Sequence, residues 1–200
     1  MIGIIDYGAG NLFSIKNVLD YLKTDSEIIR EKHDIERADR LILPGVGAFP
    51  DAMRMLEEKN LVEIIKRESR KKYILGICLG MQILFEKGYE FSETQGLGLI
   101  EGRVEKLTET PDIKIPHMGW SSIRIMNTCP IADGIKENDS FYFVHSYKAV
   151  MKDSDLGLYC RYGQKIPALV WKDNVFGCQF HPEKSGEKGI RILKNFAELK

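Results

Sequence analysis

Two hundred residues, 44% of them hydrophobic, fit one globular domain and leave no room for a second catalytic one. The 29 basic and 29 acidic residues cancel, which removes the whole-molecule attraction used by nucleic-acid and anionic-membrane binders; small molecules or proteins are the expected partners. No apolar stretch approaches the roughly 18 residues of a membrane span, and Met1 to Asp6 lacks the basic start and longer apolar run of a secretory signal, so the expectation is a soluble cytoplasmic protein.

The apolar run Ile2 to Ile5 predicts a buried strand. The turn Gly8-Ala9-Gly10-Asn11 follows, then Leu12, Ile15, Leu19 and Leu22 at helical spacing, giving one βα unit. Leu41 to Leu43 predicts a second strand, stopped by Pro44-Gly45. Two helical patterns come next, one on Ala52, Met55 and Leu56 and one on Leu61, Ile64 and Ile65. The basic cluster Arg67 to Lys72 closes the second of them, where cations offset the helix dipole. Tyr73 to Ile77 predicts a third strand, and Leu79 to Phe85 the start of another helix.

Strands alternating with helices predict an α/β fold, a mostly parallel sheet covered on both faces, with ligands beyond the carboxyl ends of the strands. The chemistry is therefore expected in the loops after Ile5, Leu43 and Ile77. The second half has little helix. Ile100 to Leu107, Ser122 to Met126, Phe141 to Val150, Leu156 to Arg161, Ala168 to Trp171 and Val175 to Phe180 read as strands that extend the sheet antiparallel. A closing helix carries Ile190, Leu193 and Phe196 on one face. No repeat or composition break divides the chain, so residues 1 to 200 are read as one domain.

The four cysteines lie far apart in a chain long enough to form a core without cross-links, so reduced thiols are expected. Cys178 and His181 form a C-x-x-H pair with no second pair nearby, which argues against zinc. Gly76-Ile77-Cys78-Leu79-Gly80 is different. It has the form of a G-x-S-x-G elbow with cysteine in place of serine, at a strand-to-helix junction. Glycines two residues either side of a nucleophile on a sharp turn avoid collision between helix and strand. The helix N-terminus also offers amides that favour a thiolate. Cys129, before Pro130, and Cys160, inside a strand, have no such setting and are read as packing or surface residues.

A base is needed to serve that thiol. His181-Pro182-Glu183 closes a strand, and residues two apart can project to the same side, so Glu183 can fix the tautomer of His181. His145, ending the run Phe141 to Val144, is a rival with no carboxylate close in sequence. His33 belongs to a polar, solvated segment. His117, in Pro116-His117-Met118-Gly119-Trp120, is read as a loop residue with a structural or interface role. Neither Pro44-Gly45-Val46-Gly47 nor Gly8-Ala9-Gly10 has the pattern of a phosphate loop; beside a nucleophile, the former suits an oxyanion role.

At these residues the chain resembles the class I, or triad-type, glutamine amidotransferases, and among them the glutaminase subunits of imidazole glycerol phosphate synthase. The similarity spans nearly the whole chain: Ile5 to Asn11, Pro44 to Phe49, Gly76 to Gln82, Pro116 to Trp120, Phe143 to Tyr147 and His181 to Glu183. The cysteine and His-x-Glu elements mark the class. Ile5 to Asn11, Pro44 to Phe49 and Pro116 to Trp120 mark the subfamily, since anthranilate-type glutaminases usually carry histidine where this chain has Met81.

The resemblance implies a flavodoxin-like three-layer domain with Cys78 as nucleophile, His181 as general base and acid, and Glu183 as its orienter. It implies that glutamine is held by Gly47, Gln82, His145, Ser146 and Tyr147, which assigns His145 to the substrate pocket. An oxyanion hole is expected from the amide of Leu79 and one from Val46 or Gly47. The implied partner is a (β/α)8-barrel cyclase, contacted at or near Asn11, Trp120 and Tyr142. Neither metal nor cofactor is implied. Weak glutaminase activity is expected without the partner, because glycines flank Val46 and its peptide can rotate to make or unmake the oxyanion hole. Three rivals are a glutaminase serving another synthase such as one for sugar amidination, a non-catalytic binding subunit, and a redox-sensing thiol protein.

Overall fold

The computed structural model describes residues 1–110 and 113–200. Its first part runs β1 (Ile2–Ile5), α1 (Leu12–Tyr21), β2 (Ser26–Ile29), α2 (Lys32–Arg37), β3 (Arg40–Leu43), α3 (Phe49–Glu58), α4 (Val62–Glu68), β4 (Tyr73–Ile77) and α5 (Leu79–Gln82). The second part runs β5 (Phe85–Gly88), β6 (Thr94–Gln95), β7 (Ile100–Lys106), β8 (His117–Ile125), β9 (Ser140–His145), β10 (Tyr147–Val150), β11 (Leu156–Tyr162), β12 (Gln164–Lys172), β13 (Val175–Cys178) and α6 (Gly186–Glu198).

The main sheet has nine strands in the order β2-β1-β3-β4-β13-β12-β11-β8-β9. Its first five strands are parallel, and the remaining four add antiparallel. Period-two alternation sorts the parallel strands into two cores. Ile4, Ile42, Leu75 and Ile77 face α1 and α6 through Ile15, Leu19, Ile192, Leu193 and Phe196. Ile5, Leu41, Leu43 and Ile74 face the other way, onto Phe49, Ala52, Leu56, Leu61 and Ile65 of the α3–α4 region. That is the expected three-layer α/β arrangement, and no helix among the described residues is long and apolar enough to cross a membrane.

Four expectations change. The helix begun at Leu79 is a single turn, and Phe85 starts β5 instead, with β5, β6, β7 and β10 forming a separate four-stranded sheet. Phe85 is fully buried there, so its apolar character serves a strand as well as it would a helix. The run Phe141 to Val150 is two strands, broken at Ser146, because β9 belongs to the large sheet and β10 to the small one. His117 lies at the start of β8 and is buried, not in a loop: it pairs across to His145 in the antiparallel β8–β9 ladder. The last strand ends at Cys178, before the expected Phe180, and His181 opens a short 3-10 turn over Pro182–Lys184. Neither β2 nor α2 was legible, since Ser26–Ile29 and Lys32–Arg37 carry few apolar residues. His33, in α2, is exposed as expected.

Candidate active site

The carboxyl ends of β3, β4 and β13 meet at one edge of the parallel region, and the break between β9 and β10 closes over them. Cys78 sits directly after β4 with φ 55° and ψ −111°, a left-handed conformation that costs a non-glycine residue of order 1–3 kcal/mol. Its surroundings impose that conformation. The Cys78 amide donates to the Cys178 carbonyl at 2.7 Å, tying the turn to β13, and Gln82 donates back to the Cys78 carbonyl at 3.1 Å. A Cβ on Gly80 would collide with the Leu43 carbonyl, and one on Gly76 would lie 2.5 Å from the Gly80 carbonyl oxygen. The flanking glycines are therefore steric requirements. Because α5 is one turn long, its local N–H groups, and not a long summed dipole, supply the field at the sulfur.

The structure brings His181 and Glu183 to this sulfur from near the other end of the chain. Glu183 Oε1 lies 2.8 Å from His181 Nδ1, and both side chains are almost fully buried. Burial alone would lower the His181 pKa. Contact with Cys78 and Glu183 outweighs it and raises the value to about 9. His181 Nε2 is buried and has no hydrogen bond of regular geometry, although Cys78 is close enough to raise the pKa of the ring. The backbone of β9 holds the base in place. His181 N–H donates to the Tyr142 carbonyl at 2.9 Å; Ser185, buried and unmarked in sequence, donates its hydroxyl to the His181 carbonyl at 2.6 Å and accepts from the Tyr142 amide at 3.0 Å.

The other three cysteines are unlike Cys78. Burial pushes Cys129 and Cys160 up to about 12 and Cys178 well above the ordinary thiol range, which keeps them protonated and inert. Among the described residues no cluster of three or more histidine, cysteine or acidic side chains is arranged to hold a metal ion.

A cleft of about 390 Å³ opens at Cys78 and His181. Its wall includes every residue expected to hold a substrate, namely Gly47, Gln82, His145, Ser146 and Tyr147, together with Val46 and Leu79. Glu90 and Pro116 line it too and were not singled out from sequence. Glu90 accepts a hydrogen bond from the Phe49 amide at 2.7 Å, and burial raises its pKa against that bond. A carboxylate in the wall of a small cleft suits a cationic group on a ligand. Glu90, between Tyr89 and Phe91, carries no local motif that would have marked it.

His145 does not compete with His181 for the sulfur. Its Nδ1–H donates to the Tyr147 carbonyl at 2.8 Å, leaving Nε2 to accept from His117 Nδ1 at 2.9 Å, while His117 Nε2 accepts from Ser121 Oγ at 2.8 Å. Burial lowers the pKa to about 3 for His145 and about 4 for His117, and these hydrogen-bond roles are the ones two neutral rings adopt.

The loop after β3 packs against the nucleophile turn. A Cβ on Gly45 would lie 2.7 Å from the Gly80 amide nitrogen and 2.9 Å from Leu79 Cβ, so the loop backbone runs beside the first amides of α5. Tyr7, fully buried, anchors this loop by donating its hydroxyl to the Pro44 carbonyl at 2.8 Å. Beyond that anchor the loop opens: Val46 is 48% exposed, and Gly47, at φ 109°, has nothing within 4 Å of the space a Cβ would fill. Trp120 is 59% exposed and meets Tyr142 across the β8–β9 ladder with ring centroids 6.2 Å apart. Asn11, half-buried before α1, accepts a hydrogen bond from Ser14 Oγ at 2.8 Å.

Residues 3–199 match the family model described as glutamine amidotransferase class-I. The chain is 51% identical over 197 residues to the imidazole glycerol phosphate synthase subunit HisH of Lactococcus lactis, covering 98% of this chain and 96% of that one. It is 51% identical over 201 residues to the HisH subunit of Caldanaerobacter subterraneus, covering 100% and 98%, and 45% identical to HisH 1 of Campylobacter jejuni, covering the full length of both. Among solved structures, a glutamine amidotransferase superposes with a TM-score of 0.76 at 19% identity over 99% of each chain. PurLQS from Thermotoga maritima does so at 0.73 and 22%, over 98% of this chain and 96% of that one; at such identity these two speak for the fold alone. The chain belongs to the class I glutamine amidotransferase family.

Proposed function

We propose that this protein is the glutaminase subunit of an imidazole glycerol phosphate synthase: it hydrolyses glutamine to glutamate and ammonia and hands the ammonia to a cyclase subunit acting in histidine biosynthesis. All 200 residues serve as one amidotransferase domain, working in the cytoplasm. The observation that carries this reading is the convergence of Cys78, His181 and the Gly47, Gln82 and His145–Tyr147 wall on one cleft, in a chain about half identical to HisH subunits over its whole length.

Cys78, as thiolate, attacks the side-chain carbonyl carbon of glutamine. The resulting oxyanion is stabilised by the Leu79 amide and by an amide of the Val46–Gly47 segment. His181, oriented by Glu183, protonates the departing ammonia, leaving a thioester on Cys78; it then takes a proton from the water that hydrolyses that ester. Gln82, His145, Ser146 and Tyr147 position the substrate with Gly47, and Glu90 receives its α-ammonium group. Ammonia released into neutral water becomes ammonium and loses its lone pair, so direct transfer to a partner preserves the nucleophile. That partner is a (β/α)8-barrel cyclase seated over Asn11, Trp120 and Tyr142, and an exposed tryptophan beside a tyrosine suits an interface hot spot.

The test is glutamate release by the chain alone and with a histidine-pathway cyclase and its ligand. Stimulation by that barrel protein supports the reading. Stimulation only by a synthase of another pathway, or none by either, contradicts it.

A further inference from the structure

Gln179 lies two residues before His181, is fully buried, and reaches the sulfur. We infer that Gln179 is a positioning residue: one amide bridges Cys78 and Gln82, so that nucleophile and substrate-holding side chain are oriented together. The inference rests on the glutaminase reading for the role of Gln82.

The polarity of this bridge is forced by an acceptor that cannot be anything else. The Tyr147 carbonyl oxygen lies 3.1 Å from the Gln82 amide nitrogen, and a carbonyl only accepts, so nitrogen must occupy that position. The same nitrogen donates its second hydrogen to Gln179 Oε1 at 3.1 Å. Turning the Gln179 amide over would set two NH2 groups face to face. Its Nε2 is therefore directed at Cys78 Sγ, 3.8 Å away. As a thiol, Cys78 can donate to the Val144 carbonyl, also at 3.8 Å. As a thiolate it only accepts, and the Gln179 N–H bond becomes charge-assisted, about twice as strong as a neutral one. Gln179 thus favours the reactive form of the sulfur.

The Tyr147 carbonyl is shared with the His145 ring, which is held in turn by His117 and Ser121. A continuous polar chain consequently runs from β8 to the nucleophile.

Q179M keeps the volume of the side chain and removes its donor; Q179N keeps an amide on a stem one methylene shorter, unable to reach both partners. In the full-length protein, the rate of Cys78 alkylation by iodoacetamide at fixed neutral pH is measured beside the melting temperature and the kcat and KM for glutamine. Alkylation of Q179M should slow about tenfold and that of Q179N by a smaller factor; KM should rise as kcat falls, because Gln82 loses one of its two partners. A purely structural glutamine would lower the melting temperature and leave alkylation of the folded protein unchanged, and wild-type alkylation in either folded variant overturns the inference. Should Q179M fail to fold, the more conservative Q179N decides. Iodoacetamide needs no glutamine site, so a wild-type chain that is alkylated but releases no glutamate even with the cyclase and its ligand refutes the glutaminase reading separately.

Discussion

The two sides of the cleft are built in opposite ways. On the nucleophile side, Cys78 is fixed by a backbone hydrogen bond to β13, by glycines that tolerate no Cβ, and by Gln179, itself held by Gln82, while the neighbouring His181 is held by Glu183 and Ser185. On the opposite side, the loop after β3 is held at the Pro44 carbonyl and again where Glu90 accepts from the Phe49 amide; between them Val46 is half exposed and Gly47 faces open space. On the proposed reading, a tightly packed nucleophile beside an open loop lets the reacting groups be ready while turnover waits for the last oxyanion donor, which a partner would set. On the same reading that donor is worth roughly a hundredfold to a thousandfold in rate, so reorienting one peptide would couple hydrolysis to synthesis.

Substitutions on the fixed side should have the largest effects. Cys78→Ala should reduce glutamate release by about 10⁴-fold or more, while the partner still works with added ammonium salt; retained glutamine-dependent synthesis would instead favour a non-catalytic subunit. Glu183→Gln should lower kcat by roughly 10³-fold, since the carboxylate orients the ring and supports its positive charge.

Glycine substitutions sharpen the contrast. Gly80→Ala drives a methyl group into the Leu43 carbonyl and should lower stability by about 3 kcal/mol or more, seen as a fall in melting temperature. Gly47→Ala meets no atom but strains a positive φ, a cost of about 1–3 kcal/mol. Its larger effect should be on the ratio of partner-stimulated to basal glutaminase. Equal stability losses with an unchanged ratio would remove the distinction between the two sides.

Burial and charge make a pH signature. His117 and His145, with folded pKa values lowered to about 4 and 3, contribute stability that is present above the ordinary histidine pKa of about 6.5 and lost as pH falls from there through the folded values. His181, raised to about 9, contributes stability that is full below about 6.5 and lost as pH rises through 9. The melting temperature should therefore peak near neutrality. His117→Phe, which preserves the stacking of that ring between Phe143 and Tyr162, should flatten the acid arm only. The smallest effect on the chain itself belongs to Trp120→Ala: its melting temperature should hardly move, whereas affinity for the cyclase should fall about 30-fold.

The fixed side was also the side more legible in sequence, for a physical reason. Gly76, Cys78 and Gly80 form a local pattern whose steric logic needs only five residues, and His181 and Glu183 are two apart, near enough to meet even though a 3-10 turn, and not the expected strand, carries them. Parallel strands buried on both faces announce themselves as apolar runs, as at Ile2–Ile5 and Leu41–Leu43. Where the chain departs from local pattern, the reading fails. Phe85–Gly88 has one large apolar residue and pairs with β7 through long-range hydrogen bonds. His117 lies between Pro116 and Gly119, residues that suggest a loop, yet it is a buried ladder residue. Gln179 and Glu90 carry no motif, and their places depend on which strands the fold sets side by side. The open loop was legible only as two glycines around Val46; its exposure required the structure.

Everything depends on Cys78 being a nucleophile aimed at glutamine. Labelling with an electrophilic glutamine analogue, followed by peptide mapping, addresses sulfur and pocket together. A single adduct on Cys78, prevented by excess glutamine and absent in Cys78→Ala, is the expected result. Label on Cys129, Cys160 or Cys178, or labelling that glutamine does not compete, would contradict the account.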